Sequence, residues 1–323
     1  LKKYAEPIKT IKVFDRTPLN KVLFNNYIKD KKLGYVIENS IFSRVLRDKL
    51  IKRNQIEILN GYKVTKILSD NNFSKIYLKD KTINSKLIIA ADGKNSSVRK
   101  VVGDKLFQKI YTESALVLNF FHEKSLNNTA YEIFYKTGPL AVLPMRSSKK
   151  YFQSSIIWSN KSNFVKKLIC CDNKFIANII EEKVGKITGK VKKINSKQSF
   201  PLSAHINETF INKRLIYIGD SAHSIHPIAG QGWNLGIKDI KNLNFICKGL
   251  ISKKTEIGDD LFCKKYNELS YKNAFQLYQI TDKLNLHFKK NGNIYRVLSN
   301  IGFKIIEKNS YLKKNITKYA MGV

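Results

Sequence analysis

The stretch Tyr217-Ile218-Gly219-Asp220-Ser221-Ala222-His223-Ser224-Ile225-His226-Pro227-Ile228-Ala229-Gly230-Gln231-Gly232-Trp233-Asn234-Leu235-Gly236 decides how the chain is read. It opens inside the apolar run Leu215-Ile216-Tyr217-Ile218, the form of a strand covered on both faces, as in parallel sheets with helices on either side. The run ends in Gly219-Asp220, and in open α/β sheets ligands sit beyond the carboxyl ends of the strands. An ionised Asp only accepts hydrogen bonds, so Asp220 suits a sugar or ribityl hydroxyl. Gly230 and Gly232 remove side chains where a helix begins. A planar ligand can then approach backbone N–H groups at the positive end of the helix dipole.

Other chemistries fit this stretch less well. Asp220, His223 and His226 have the composition of a two-histidine, one-carboxylate metal site, but the irregular segment before Pro227 gives them no helical spacing, and no metal ligands are assigned. A serine hydrolase needs a G-x-S-x-G elbow, which the sequence lacks. Gly230-Gln231-Gly232 is no dinucleotide fingerprint, because Gly236 stands one residue too far on. A glycine-rich turn that binds nothing stays open on these residues alone.

Working outward, Ile8 to Phe14 alternates like a strand and Asp15-Arg16-Thr17-Pro18 ends it. Asn39-Ser40 can cap a helix whose apolar stripe is Ile41, Phe42, Val45, Leu46 and Leu50. Strands are expected at Ile56 to Leu59, Val64 to Leu68 and Ser74 to Leu78. Leu87-Ile88-Ile89-Ala90 should be a second strand buried on both faces, running into Ala91-Asp92-Gly93. The middle changes character, with alternating strands at Leu116 to Phe121, Tyr131 to Tyr135, Leu140 to Leu143 and Phe152 to Trp158. That is the pattern of a sheet with one solvated face. One helix from Ser162 to Lys183 and a strand from Ile194 to Leu202 follow. From about Asp259 the chain reads as helical, with apolar positions at Phe275, Tyr278, Leu284, Phe288, Val297 and Ile301. The expected fold is α/β, with a sheet-based domain inserted in it and a C-terminal helical tail.

Composition narrows the function. Among 323 residues, 59 Lys and Arg stand against 25 Asp and Glu, a formal charge of +34. Only eight of these cations are Arg, the residue that makes bidentate base and phosphate contacts. The lysines are spread through every segment, which argues against nucleic-acid binding. They leave room for peripheral contact with anionic lipid. No apolar run approaches the roughly 20 residues that span a bilayer. The opening Leu1-Lys2-Lys3-Tyr4-Ala5-Glu6 has no signal-peptide core. Cys170, Cys171, Cys247 and Cys263 show neither a disulfide framework nor zinc spacing. A cytoplasmic protein, peripheral on the inner face of the membrane, is expected.

Gly219-Asp220-(x5)-His226-Pro227-(x2)-Gly230-Gln231-Gly232-Trp233-Asn234-Leu235-Gly236 closely resembles the second flavin-binding motif of the class A flavin-dependent aromatic hydroxylases, the group of para-hydroxybenzoate hydroxylase. Ala91-Asp92-Gly93-Lys94-Asn95-Ser96-Ser97-Val98-Arg99 resembles the D-G motif of the same family. Tyr131-(x2)-Phe134-(x3)-Gly138-Pro139-Leu140-Ala141-Val142-Leu143-Pro144-Met145 is most similar to its ubiquinone-biosynthesis hydroxylases. The resemblance implies a Rossmann-like FAD-binding domain over 21–105 and 206–258, a substrate sheet over 106–205 joined by a strand within 1–20, and a helical region over 259–323. It implies an FAD monooxygenase that hydroxylates a polyprenylated phenol with NAD(P)H and O₂, through a flavin C4a-hydroperoxide.

By the same resemblance, cofactor-binding residues are Arg44, with Ser43 beside it, and Asp92, Gly93, Arg99, Gly219, Asp220, Pro227, Gly230, Gln231, Gly232, Trp233 and Asn234. Asp220 would hold the ribityl chain, Asp92 and Arg99 the pyrophosphate and nicotinamide side, and Asn234 would cap its helix. His226 and Pro227 are the catalytic candidates, His226 as acid-base or as packing. The family's G-x-G-x-x-G βαβ unit, which holds the ADP part of FAD, is not found in this sequence, so the chain is expected to be N-terminally truncated. Alternatives are a related flavoprotein acting on another aromatic or prenyl substrate, and a flavin-deficient scaffold subunit of a biosynthetic complex.

Overall fold

Period-two alternation over long stretches gives this chain its largest structural unit, an eight-stranded sheet. In the computed structural model, which describes residues 2–15, 21–25, 32–147, 150–251, 256–289 and 293–321, eight strands build it. They are β2 (Thr10–Asp15), β3 (Lys21–Asn25), β9 (Leu106–His122), β10 (Thr129–Tyr135), β11 (Gly138–Met145), β12 (Phe152–Lys161), β13 (Val191–Asn207) and β16 (His223–Ser224). Their order is β16-β13-β9-β12-β11-β10-β2-β3. All neighbours are antiparallel except β10 and β2.

One face of this sheet is sealed. Leu116, Leu118, Leu140, Val142 and Ile156 are fully buried there under α3 (Ser162–Cys170) and α4 (Asn173–Thr188), which contribute Val165, Leu168, Ile176 and Ile180. The expected single helix from Ser162 to Lys183 is thus two. Asp172 accepts the Phe175 N–H at 2.8 Å and starts α4 as its N-cap, so the chain turns at Cys171 although the apolar pattern continues.

The second region holds the motifs. β8 (Ile88–Ala90) and β15 (Leu215–Tyr217) pair in parallel, with β14 (Ile211–Asn212) antiparallel at the far side of β15. Leu215, Ile216 and Tyr217 are buried as expected, but Ile89 is 46% exposed, so β8 is an edge strand with one open face. A separate antiparallel sheet joins β5 (Lys66–Ser69), β6 (Ser74–Tyr77) and β7 (Thr82–Ser85). Residues Ile56 to Leu59 form no strand, and no described strand pairs with them. β1 (Glu6–Ile8) pairs with β4 (Gly34–Val36).

Helices complete the molecule. α1 (Asn39–Ile51) forms where expected, but its N-cap is Glu38 with no side-chain hydrogen bond, and none of its residues is buried. α2 (Ser97–Val102) and α5 (Gly232–Ile251) follow the two motifs. α6 (Asp260–Lys289), α7 (Asn293–Lys308) and α8 (Ser310–Met321) form the expected helical end. β3 lies within the segment 21–105 assigned to the FAD-binding part, yet it pairs with β2 and belongs to the large sheet. The turn residues Arg16, Thr17 and Pro18 and the side chains of Phe288 and Val297 lie outside the described residues.

Candidate flavin site

β15 runs into a single 3-10 turn, Gly219–Ser221, that lies directly on α5. A Cβ on Gly236 would stand 3.3 Å from the Gly219 Cα, so the two backbones meet where only glycine fits easily. Gly219 also has φ +59, the left-handed region that glycine enters without strain. Its N–H donates to Asp239 Oδ2 at 2.9 Å, and the same oxygen lies 2.7 Å from His223 Nε2. Asp239 and His223 are each 1% exposed, so this buried pair fixes the turn against the helix. Asp220 is left exposed at the tip.

The D-G loop is bound to this turn by Arg99. Its Nη1 donates to the Ser221 carbonyl at 2.9 Å and its Nη2 to the Lys94 carbonyl at 3.0 Å. The expectation that Arg99 serves the pyrophosphate and nicotinamide side is therefore revised. The side chain is 6% exposed and committed to backbone carbonyls, so it holds two loops together. Ser221 Oγ adds a bond to the Ala90 carbonyl at the end of β8.

Asp92 has a local task. Its Oδ2 accepts the Ser97 and Val98 N–H groups at 2.7 and 3.0 Å, at the start of α2. Burial works against its carboxylate, but the hydrogen bonds from Ser96, Val98 and Ser97 outweigh that and hold its pKa below the usual range. Gly93 follows with φ +81 and no atom near where a Cβ would stand. Its conformation, and not crowding, demands glycine there.

On the other side, His226, Pro227 and Ile228 form a second short turn, and Gly230 ends it with φ +59. His226 is 1% exposed. Its Nδ1 accepts the Ile228 N–H at 3.3 Å, and its ring stands edge-on to Tyr111 at 4.9 Å. Tyr111 donates to Asp282 Oδ1 at 3.0 Å, and Lys109 Nζ lies 2.7 Å from that carboxylate. β9, α6 and the His226 turn are thus linked through one contact chain. Burial and the Asp282 carboxylate push the Tyr111 phenol pKa up.

α5 then begins at Gly232, where first-turn N–H groups have no acceptor within the helix. Gln231 and Gly232 are half-buried, while Gly230, Trp233 and Asn234 are exposed. Asn234 does not cap the helix as expected, since its Nδ2 donates to Gln231 Oε1 at 3.3 Å. Trp233 meets the Phe42 ring edge-on at 5.1 Å, which brings α1 and the exposed Arg44 to this end of α5. Beside them lies a cavity of about 240 Å³ lined by Val36, Glu38 and Ile41 on one side and Met145, Arg146 and Gln153 of the large sheet on the other.

The arrangement ties the D-G loop to the Gly219–Ser221 turn and sets that turn against α5, which begins at Gly232. It separates the three candidate metal ligands, since His223 pairs with Asp239 and His226 with Tyr111. Among the described residues no group of three or more His, Cys, Asp or Glu side chains gathers in a metal-binding cluster. Sequence reading passed over Asp239, His205 and the charge on Lys94. Asp239 had a signal, because it falls four residues after Leu235 on the buried side of α5. Lys94 donates to the Ser203 carbonyl at 2.9 Å and lies within the field of Asp220. His205 is 1% exposed beneath the Asp220 turn. Burial, then the charges of Arg99, Lys94 and His223, lower its pKa to about 4.

These groups suit the flavin and ribityl half of FAD. A bare helix start with unused N–H donors faces outward, an exposed carboxylate stands beside it, and the glycines leave the backbone open. Comparison with known proteins gives the family. Residues 32–276 match the family model described as FAD binding domain. The chain is 27% identical to ubiquinone hydroxylase UbiL of Rhodospirillum rubrum, over 98% of its own length and 73% of the relative's. It is 26% identical to the mitochondrial ubiquinone biosynthesis monooxygenase COQ6 of Dictyostelium discoideum, over 99% and 76%. Against 3-demethoxyubiquinol 3-hydroxylase of Escherichia coli it is 25% identical, over 90% and 73%. Among solved structures, p-nitrophenol 4-monooxygenase PnpA from Pseudomonas putida superposes with a TM-score of 0.73 at 16% identity, covering 99% of this chain and 83% of that one. With residues 32–276 matching the family model, the chain belongs to the FAD binding domain family.

Proposed function

We propose that the protein is an FAD-dependent monooxygenase that hydroxylates the ring of a polyprenylated phenol in ubiquinone biosynthesis, with NAD(P)H as reductant. The single observation that carries this reading is the junction of the D-G loop, the Gly219–Ser221 turn and the start of α5, tied by Arg99 and by the His223–Asp239 pair. The relatives named as ubiquinone hydroxylases supply the substrate class. Bound FAD would supply the redox chemistry that passes one atom of O₂ to an electron-rich ring.

The chain's own residues then have separable tasks. Asp220 accepts hydrogen bonds from ribityl hydroxyls. The Gly232, Trp233 and Asn234 N–H groups face the pyrimidine edge and favour negative charge there. Pro227 offers no N–H and a fixed φ, so it walls the ring without a competing donor. His226, buried against Tyr111, shapes that wall as a positioning residue. Arg44 lies at the end of α1 that reaches α5 and suits the pyrophosphate.

No helix of the described residues is long and apolar enough to cross a membrane. Peripheral contact is part of the proposal. Ile301, Lys304, Ile305 and Lys308 form one exposed stripe on α7, the pattern of a helix lying on a lipid surface. Residues 293–323 carry six Lys and Arg against the single Glu307. Retention on anionic over neutral vesicles checks this contact.

The deciding experiment reconstitutes the protein with FAD and follows NAD(P)H and O₂ consumption with 2-prenylphenol. Product carrying one added oxygen atom, labelled when ¹⁸O₂ is supplied, is the expected result. Protein that binds FAD yet returns 2-prenylphenol unchanged would overturn the hydroxylase reading.

A further inference from the structure

The large sheet has a second face, opposite α3 and α4, and it is only partly covered. One transverse row on that face can be followed through the strand register. Val117 pairs with Ile157, Ile157 with Ala141, Ala141 with Glu132, and Glu132 with Val13. All five are half-buried, whereas Leu116, Leu118, Leu140, Val142 and Ile156 on the opposite face are fully buried. Glu132 is the one charged residue in an apolar row, and its carboxyl makes no hydrogen bond or ion pair with any described residue.

This row lies beside the candidate flavin site. Phe134, two residues along β10 and on the same face, shares one buried cluster with Ile228 of the His226–Pro227 turn. Two residues span about 7 Å of strand. Ile157 packs in the same cluster as Tyr111, whose ring meets His226, and as Tyr278 of α6. Met145 and Gln153, further along β11 and β12 on this face, line the cavity next to α1. The row is therefore an apolar floor beside the His226–Pro227 turn, with a single carboxyl set in it.

We propose that Glu132 is the specificity residue that recognises the hydroxyl of the substrate ring by a direct hydrogen bond. This rests on the phenol-hydroxylase reading above. The half-buried carboxyl has no partner among the described residues, so its hydrogen-bonding capacity is left for a ligand that brings a hydroxyl. The apolar neighbours Ala141, Val13 and Ile157 accept the ring's carbon face, and the carboxyl selects the oxygen. Burial alone lifts the Glu132 pKa to about 8, so near neutral pH the group holds a proton. A carboxylic acid can donate to a phenol oxygen and accept from its O–H.

The test measures binding and not turnover. FAD-loaded protein is titrated with 2-prenylphenol and with its methyl ether, 2-prenylanisole, and the flavin absorbance change gives each Kd. The wild type is expected to prefer the phenol about ten-fold or more, the range of a hydrogen bond lost from a site built for it. Glu132→Leu should bind both probes with nearly equal Kd, and the isosteric Glu132→Gln should keep part of the preference. FAD affinity, unchanged in both variants, reports that each is folded. Preference for the phenol retained in Glu132→Leu or lost equally in both variants with FAD released would overturn the assignment alone. Wild-type protein that binds neither probe would overturn the phenol reading and this proposal with it.

Discussion

The sealed face of the large sheet and the outer layer of the motif side treat their apolar residues in opposite ways. On the sealed face of the large sheet, Leu116, Leu118, Leu140, Val142 and Ile156 have no solvent exposure. On the motif side, α1 buries nothing, Ile89 stands 46% exposed on the edge strand β8, and Leu46, Leu50 and Ile51 are open. A 13-residue helix with no buried face is marginal on its own. The motif side has a core of its own behind β15, where Phe210, Ile216, Tyr217 and Phe262 are fully buried, and only its outer layer of α1 and β8 is left open. Among its buried polar ties, Arg99 to two carbonyls and Asp239 to a turn and a histidine set the loop geometry around that core.

The sharpest way to break this contrast is a pair of truncations measured by chemical denaturation. Phe120→Ala empties a site that is 1% exposed and should cost about 4 kcal/mol. Leu50→Ala, at 46% exposure on α1, should cost less than about 0.5 kcal/mol. Equal losses would mean that the two halves share one core.

A second test addresses the junction. His205 belongs to β13 of the large sheet but lies beneath the Asp220 turn, and its folded pKa is about 4 against an ordinary 6.5. The unfolded chain takes up the proton first as pH falls. Stability is thus fully present above 6.5 and declines between 6.5 and about 4, by up to about 1.4 kcal/mol per pH unit. Unfolding free energies across that window should be flatter for His205→Gln than for the wild type. Parallel curves would show that another group carries the pH dependence.

The same contrast marks what the sequence could reveal. Strands of the large sheet were legible because alternation is local, and so was the Gly219 to Gly236 stretch, whose glycines and carboxylate are read one residue at a time. Ile89 was not legible. An unbroken run such as Leu87 to Ala90 is the same string whether or not a neighbour covers it, and Ile56 to Leu59 is apolar yet pairs with no described strand. Asp172 carried a cap signal that the apolar Cys170 and Cys171 hid inside a continuing helical period. Arg99 misled for a different reason. Its shorter bonds go to the carbonyls of Lys94 and Ser221, and any residue has a carbonyl, so no side-chain pattern could have named those two. Asp239 could have been found as a charge on the buried side of α5.

The smallest expected effect separates binding from folding. Asp220 is exposed at the tip of its turn, and no hydrogen bond of its carboxylate to a described residue accounts for its place there. If the motif side exists to be covered by a cofactor, removing its charge should leave folding intact and weaken the cofactor. Asp220→Asn keeps the shape but replaces one acceptor oxygen with a donor. FAD affinity should fall about ten-fold, roughly 1.4 kcal/mol, when read by fluorescence titration. Unfolding of the apoprotein should shift by less than about 0.5 kcal/mol. A loss of apoprotein stability with unchanged FAD affinity would invert the assignment. It would make the Gly219–Ser221 turn part of the fold's own support, and the difference between the two halves would then be one of degree.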